Sequence, residues 1–368
     1  MDRFDHFLVL GAGASFGARD PPHRPPLGPK LADYLLTWLT ANDPGDDISR
    51  RMAMEAEQDL TTPAADLFEP AARRRLREFL DHAVDSSDFE SAARRLIVGR
   101  RQLEDRVARS VRAGQLAPDD RTAFHQKPIE EINRLVAFAM LGGNASSAFA
   151  RRPDRFDELL SLPTFRGRIA VISLNYDILL EEALIRSGRS WGYRGPRRQF
   201  PRPGGIPVFK LHGSINWQRL LPVGPGRTLS VGLAGHPLRP DTGHEEVQIA
   251  RPNIIAMLKH SDHPPVLATY SAGKEVDSNW GCIEGSVRSC LRAIRRSPGA
   301  RATLFGVRLP ASTDDPRLER VARALQVLRG QKEFVNPGED ERAAAESLGF
   351  EPRERTLGEY LEARARAT

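Results

Sequence analysis

Short hydrophobic runs, each ending at a glycine or a polar residue, recur along this chain of 368 residues. Fully apolar runs of this length are typical of strands that are buried on both faces of a parallel sheet. A weaker run near residues 266–268 has the same character. The four clearest runs are residues 7–10, 168–173, 207–211 and 302–305.

Between these runs, hydrophobic residues recur at helical spacing. Leu31, Leu35 and Leu39 predict one helix, residues 281–296 a second, and the stretch after Asp315 a third. Strands that alternate with helices predict an α/β fold, a Rossmann-like open parallel sheet. In such a sheet, ligands bind at the carboxyl ends of the strands.

The domain organisation is predicted from a long segment of the sequence that lacks strand patterns. Residues 45–145 contain no convincing strand and show only helical spacing, so we predict an inserted all-helical module there. Residues 1–330 then form one α/β domain that contains this insertion. Residues 331–368 are expected to be a short C-terminal extension.

Composition and charge exclude several classes of protein. Apolar residues make up 40% of the chain and charged residues 28%, which is ordinary for a soluble globular protein. We find neither a membrane-spanning run nor a secretory signal, so we expect a cytoplasmic protein. Two cysteines, Cys282 and Cys290, are too few for a four-thiolate zinc site, and we expect no metal. A net charge of +6 permits anionic ligands.

The first strand end, at residues 11–15, is rich in glycine. Gly11 and Gly13 would let the backbone approach a phosphate closely. A dinucleotide-binding fingerprint would need its third glycine at position 16, which is Phe16, so an ordinary dehydrogenase is disfavoured. The alternative interpretation of this segment is a plain tight turn.

Two further strand ends have side chains that are suited to catalysis. Asn175 and Asp177 follow the second strand and could hold a sugar hydroxyl or a water, or they could simply cap the next helix. His212 follows the third strand and precedes Gly213. A histidine there is placed to act as a general base, although a lone histidine can also be structural.

The fourth strand end begins at Gly306. This glycine turn, with Asp314 and Asp315 after it, could line the adenine or ribose end of a nucleotide. The alternative is a turn followed by a helix cap.

Taken in order along the chain, these segments resemble a known family. They are similar to the bacterial sirtuin-like (silent information regulator-like) domain family, and more closely to its anti-phage defence NADase branch. The resemblance covers residues 4–330. The segments that carry it are Gly-Ala-Gly-Ala-Ser at 11–15, Pro26-Leu27-Gly28, Leu174-Asn175-Tyr176-Asp177, Lys210-Leu211-His212-Gly213-Ser214-Ile215-Asn216-Trp217, and Gly306 with Leu309-Pro310 and Asp314.

The resemblance implies a chemistry for these residues. The family binds NAD and cleaves the nicotinamide–ribose bond. By resemblance, Asn175 orients the attacking water or the ribose hydroxyls, Asp177 helps to hold the ribose next to nicotinamide, and His212 is the base. The residues implied to contact the NAD are Gly11, Ala12, Gly13, Ser15, Gly213, Gly306 and Arg308.

Two departures from the family refine this expectation. Protein-deacylating sirtuins carry a four-cysteine zinc module that two cysteines cannot form, so deacylation is disfavoured and NAD hydrolysis is favoured. The late glycine turn often contains a serine in the family, whereas this chain has Val307 and Arg308. We expect Arg308 to contact a phosphate there instead.

The leading hypothesis is therefore an NAD⁺ hydrolase that yields nicotinamide and ADP-ribose, or a cyclised form, and depletes NAD during phage infection. The resemblance further implies a homo-oligomer and a defence partner such as an ATPase of the HerA type. The alternative is a non-catalytic NAD-binding sensor that acts through a partner. A nucleic-acid-binding protein remains a third hypothesis, although no recognisable binding motif supports it.

Residues 186–202 contain six arginines and no acidic residue. Because they lie between Asn175 and His212 in the sequence, we expect this segment on or near the ligand edge of the sheet. It could contact a phosphate, form a surface for a partner, or be a solvated basic loop.

Overall fold

A computed structural model describes most of the predicted sheet and the helices around it. Its strands are β1 (His6–Leu10), β2 (Ile169–Ser173), β3 (Trp191–Tyr193), β4 (Ile206–Lys210), β5 (Gly213–Arg219), β6 (Val247–Ile249), β7 (Pro265–Leu267), β8 (Arg301–Phe305), β9 (Lys332–Val335) and β10 (Glu351–Arg353). The residues described are 3–18, 28–41, 70–85, 127–140, 154–194, 204–219, 247–249, 265–267, 281–309, 316–338 and 341–366.

Ten α-helices are found in the described residues, together with a short 3-10 turn at Pro163–Phe165. No described helix is both long and apolar enough to cross a membrane. The helices are α1 (Ala12–Ala18), α2 (Gly28–Ala41), α3 (Pro70–Asp85), α4 (Lys127–Met140), α5 (Arg155–Ser161), α6 (Leu179–Arg186), α7 (Gly281–Arg296), α8 (Pro316–Gln326), α9 (Arg342–Ser347) and α10 (Leu357–Arg366).

Seven strands form one parallel sheet in the order β10-β9-β8-β1-β2-β4-β3. This confirms the predicted α/β fold with a Rossmann-like parallel sheet. The chain builds outward from β1 through β2 to β3 and β4, and later returns to place β8 on the other side of β1. The strand order therefore reverses between β1 and β8, which is where open α/β sheets bind ligands. A second, antiparallel sheet has the order β6-β5-β7.

Both faces of the parallel sheet are covered by helices, because side chains alternate along each strand. From β1, Leu8 and Leu10 point into a core that they share with α1, α5, α6 and α10. Phe7 and Val9 point into the opposite core, against α7 and α8. This burial on two sides explains why the strands are apolar throughout.

The helices α2, α3 and α4 pack together around a third hydrophobic core. Leu35, Leu80 and Leu135 are among its buried residues. Two residues of the α/β domain, Tyr176 and Ile215, belong to the same core. Both α3 and α4 fall within residues 45–145, where the helical insertion is predicted, and the bounds of that insertion stay a prediction.

Residues 331–368, expected to be a short extension, add β9 and β10 to the sheet and α10 to its core. Leu357, Tyr360 and Leu361 of α10 are 3–5% exposed. The sequence pattern hides these strands because they are short and carry charged residues, as in Lys332-Glu333.

The first two arginines of the 186–202 segment lie away from the carboxyl ends of the strands. Arg186 Nη2 lies 2.9 Å from Asp154 Oδ2 and 2.7 Å from Asp157 Oδ2, at the start of α5. Arg189 donates to the carbonyl oxygen of Phe165, just before β2. For these two, the expected place at the ligand edge is wrong, because α6 runs back to the amino end of the sheet. Arg197, Arg198 and Arg202 lie outside the described residues.

Candidate functional site

Four adjacent strands, β8, β1, β2 and β4, end at one side of the parallel sheet, which we call the carboxyl edge. Gly306, Gly11, Asn175 and His212 follow these strands closely. Because the strands are parallel, the four predicted strand ends lie along one edge. Their roles in binding and catalysis stay predictions.

At the centre of this edge, the glycine turn after β1 contacts the turn after β8. The Gly11 amide donates to the carbonyl oxygen of Phe305 (2.9 Å), and the Gly13 amide donates to that of Gly306 (3.1 Å). Gly306 has φ +55°, and a Cβ on Gly13 would lie 2.9 Å from the Gly306 Cα. The Gly13 amide is therefore engaged within the protein.

Asn175 joins the ends of β1 and β2. Its Nδ2 donates to the carbonyl oxygen of Gly11 (2.9 Å) and to Ser15 Oγ (2.7 Å), so both amide hydrogens are used. Among the described residues, no partner contacts its Oδ1 within hydrogen-bond distance. The side chain is only 7% exposed. Asn175 therefore has a fixed orientation and offers a hydrogen-bond acceptor, not a donor.

His212 is held by the same strand end. Its Nδ1 lies 2.9 Å from the carbonyl oxygen of Leu174, and its ring centroid lies 6.2 Å from that of Tyr176. A carbonyl oxygen only accepts hydrogen bonds, so Nδ1 carries the hydrogen and the neutral ring has its lone pair on Nε2. This is the tautomer in which Nε2 can take up a proton.

Asp177 contacts the start of the helix that follows it. Its Oδ1 accepts the backbone N–H of Leu179 (3.1 Å) at the start of α6, and the residue is 4% exposed. The N-cap residue of α6 is Ile178, and Asp177 precedes that position. A contact between Asp177 and a ribose stays a prediction, for which its Oδ2 would serve.

Lys210 also belongs to this site, although the sequence pattern places it only within the motif at residues 210–217. Lys210 Nζ lies 2.9 Å from Glu181 Oε1 and donates to the carbonyl oxygens of Asn175 (3.1 Å) and Asp177 (2.5 Å). Lys210 is 1% exposed. A lysine within an apolar run is the sequence signal that could have identified it. A buried lysine needs polar partners, so its position predicts a buried polar contact at the end of this strand.

The remaining predicted ligand-binding residues also lie near the carboxyl edge. Gly213 has φ +86°, a backbone conformation that favours glycine, and it begins β5 directly after His212. The Arg308 side chain is 92% exposed, with its Nε 3.7 Å from Glu341 Oε1. Glu341 also accepts the backbone N–H of Leu309 (2.7 Å) and so holds this turn. Asp314 and Asp315 lie outside the described residues.

No cluster of three or more histidine, cysteine or acidic side chains that could hold a metal occurs in the part of the chain that the structure describes. Cys290 is a free, buried thiol, and burial raises its pKa well above the usual range.

Comparison with known proteins completes the description. No family model and no curated protein matches the chain. Among solved structures, the chain is similar to a serine-to-alanine variant of a Sir2 homologue in complex with ADP-ribose. The two chains are 13% identical and superpose with a TM-score of 0.38. The match covers 99% of this chain and 91% of that one. It is also similar to a Sir2 homologue in complex with NAD, with 12% identity, a TM-score of 0.34, and coverage of 99% and 89%.

Proposed function

We propose that the protein is an NAD⁺ hydrolase that cleaves the nicotinamide–ribose bond. One observation carries the proposal: Asn175 and His212 are oriented by backbone contacts at adjacent strand ends. They stand beside the glycine turns where the strand order reverses. Such a crevice suits a dinucleotide. The motif resemblance described above supplies the reaction.

The chemistry assigned to the side chains follows from their hydrogen bonds. The bond between ribose C1′ and the nicotinamide nitrogen breaks, and its electron pair leaves with nicotinamide. Asn175 Oδ1 accepts a hydrogen bond from the attacking water or from a ribose hydroxyl, because its amide hydrogens are already engaged. His212 Nε2 takes up a proton as water adds to C1′. A fixed acceptor and base stabilise the cationic centre at the moment of reaction.

Two secondary proposals concern Arg308 and the biology. The mostly exposed guanidinium of Arg308 contacts the pyrophosphate from the turn after β8. The biological role is depletion of NAD in anti-phage defence. The enzyme works as a homo-oligomer in the cytoplasm, with a defence partner such as a HerA-type ATPase.

The test is release of nicotinamide from NAD by the purified protein. We expect His212→Ala and Asn175→Asp each to lower the rate about 100-fold or more. Asn175→Asp keeps the size of the side chain and an acceptor oxygen, but it removes the two N–H donors that hold this oxygen in place. The matched control is His82→Ala on the exposed side of α3, which should keep the wild-type rate. Activity that survives both site substitutions would discard the assignment of the site.

A second function, a non-catalytic NAD sensor, is favoured by one observation. The amide hydrogens of Asn175 are engaged within the protein, so its fixed Oδ1 can hold a ribose hydroxyl without taking part in any reaction. NAD binding measured by calorimetry, without nicotinamide release by the wild type, would support the sensor. Turnover by the wild type would exclude it.

A further inference from the structure

Lys210 is buried at the carboxyl edge of the sheet although it carries a charge. It is the last residue of β4, is 1% exposed, and precedes His212 by two positions. Taking an ammonium group out of water costs several kcal/mol, so its partners must compensate for that cost. Hydrophobic side chains often replace such pairs without loss of stability. Stability alone therefore does not explain a lysine at this position.

The partners of Lys210 use all three hydrogens of its ammonium group. One hydrogen goes to the carboxylate of Glu181, which lies in the first turn of α6. The other two go to the backbone carbonyls of Asn175 and Asp177, on either side of Tyr176. The ammonium group thus clamps the turn that carries two of the proposed site residues.

The contact continues beyond Glu181 to the strand that follows His212. Glu181 Oε1 accepts the Tyr193 hydroxyl (2.9 Å), and the Asn216 amide nitrogen donates to the oxygen of that hydroxyl (3.1 Å). Burial and the charge of Glu181 raise the pKa of Tyr193 well above its usual value, so the hydroxyl stays protonated and donates. One buried network therefore joins the turn after β2 to β4, α6, β3 and β5.

We infer that Lys210 is a positioning residue for the proposed hydrolase. It holds the backbone of the Asn175–Asp177 turn so that the Asn175 side chain stays against Gly11 and Ser15. Because Lys210 and His212 lie on one short segment, the same bonds fix the position of the base relative to Asn175. The expected effect of Lys210 on kcat rests on the proposed function. That Lys210 holds the Asn175–Asp177 turn does not depend on it.

The key variant removes both charges at once. Lys210→Met with Glu181→Gln leaves no unpaired buried charge, and the glutamine oxygen can still accept the Tyr193 hydroxyl. If Lys210 only neutralised Glu181, this double variant would release nicotinamide at the wild-type rate. If Lys210 positions the turn, kcat falls about 10- to 100-fold while KM for NAD stays within about twofold.

A control variant removes an ion pair elsewhere, between the buried Glu333 and Arg364, whose side chain is 40% exposed. Arg364 in α10 donates to Glu333 in β9 (2.9 Å). Glu333 is 5% exposed. Arg364→Met with Glu333→Gln should leave kcat unchanged, because Glu333 accepts hydrogen bonds from Tyr360, Arg353 and Arg364, none of which belongs to the carboxyl-edge turns. A similar loss of kcat in this control would overturn the specific role of Lys210.

Hydrogen exchange tests the structural part without any activity. The Leu179 amide donates to Asp177 Oδ1, and the Ile215 amide donates to the carbonyl oxygen of Tyr176. Both amides should exchange at least 10-fold faster in the Lys210→Met, Glu181→Gln variant than in the wild type. They should be unchanged in the Arg364→Met, Glu333→Gln control. Wild-type exchange rates at both amides would refute the inference.

The two proposals fail in different ways. If the wild-type protein releases no nicotinamide, the proposed hydrolase is wrong, and hydrogen exchange alone decides whether Lys210 holds the turn. If the wild type is active and the Lys210→Met, Glu181→Gln variant keeps the wild-type kcat and exchange rates, the proposed hydrolase is supported. The positioning role of Lys210 is then wrong.

Discussion

Gly13 and Gly306 touch through their backbones at the centre of the sheet. A Cβ on Gly13 would lie 2.9 Å from the Cα of Gly306, and the Gly13 amide donates to the Gly306 carbonyl oxygen. Gly306 also has φ +55°, where other residues are strained. The two strand ends that flank the proposed crevice can approach this closely only because both residues lack side chains.

We therefore expect Gly306→Ala to destabilise the protein strongly. Its Cβ would meet backbone atoms of Gly13 and Ala14, which cannot move without shifting α1. The expected loss in free energy of unfolding is more than about 3 kcal/mol, measured by urea denaturation. The matched control is Gly188→Ala, where φ is +68° but no atom lies within 4 Å of the added Cβ. That change should cost only about 1 kcal/mol.

Equal losses in the two variants would contradict the close approach of these strand ends. The positive φ alone would then account for the loss in free energy of unfolding in both variants. A larger loss in Gly306→Ala assigns the difference to the contact between the turns.

His6 should make the stability depend on pH. Burial, with a smaller contribution from Arg301, lowers the pKa of His6 to about 4. The ring is neutral in the folded protein, where its Nε2 lies 2.9 Å from Thr303 Oγ1. In the unfolded chain the pKa returns to about 6.5. Unfolding therefore takes up a proton between these two pH values, and the free energy of unfolding falls as the pH drops through that window.

The expected contribution of His6 is up to about 3 kcal/mol between pH 6.5 and pH 4. His6→Gln keeps a hydrogen-bonding side chain and removes the titration. Urea denaturation at several pH values should therefore show a shallower fall in stability for this variant than for the wild type. The exposed His82→Gln variant should retain the wild-type slope. Parallel curves for His6→Gln and the wild type would refute the depressed pKa.

The C-terminal helix α10 should be part of the cooperative fold. Leu361 is 5% exposed in the core on one face of the sheet, and the Tyr360 ring packs edge-to-face on Phe305. Leu361→Ala should lower the free energy of unfolding by about 2–5 kcal/mol. Arg366→Ala, on the exposed side of the same helix, should change it by less than about 0.5 kcal/mol. Similar small effects of both changes would show that α10 does not stabilise the domain.

Local patterns predicted much of the fold. The apolar run that ends at Gly11 identified β1, and the runs before Asn175, His212 and Gly306 identified β2, β4 and β8. A strand that is buried on both faces must be apolar throughout, and it must end where the chain turns, so both signals lie within a few residues. The alignment of the four strand ends along one edge followed from the parallel arrangement.

Charged residues were harder to interpret. Arg186 lay in a run of basic residues that pointed to a ligand, yet it contacts Asp154 and Asp157 at the other end of α6. Lys210 interrupted an apolar strand without revealing its partners. A charge is compatible with solvent, ligand or a buried partner, and the sequence around it does not show which one is present.

By itself, the sequence determined the four central strands β1, β2, β4 and β8, several of the helices around them, the four candidate strand ends and the residue types of the proposed site. The tertiary structure alone decided the order of the strands, the place of β9, β10 and α10 in the domain, and the contacts of each polar side chain. The bond from Asn175 to Gly11 joins residues 164 positions apart. Secondary structure depends on neighbouring residues, whereas such contacts depend on which distant segments pack together, and that is settled by burial over the whole chain.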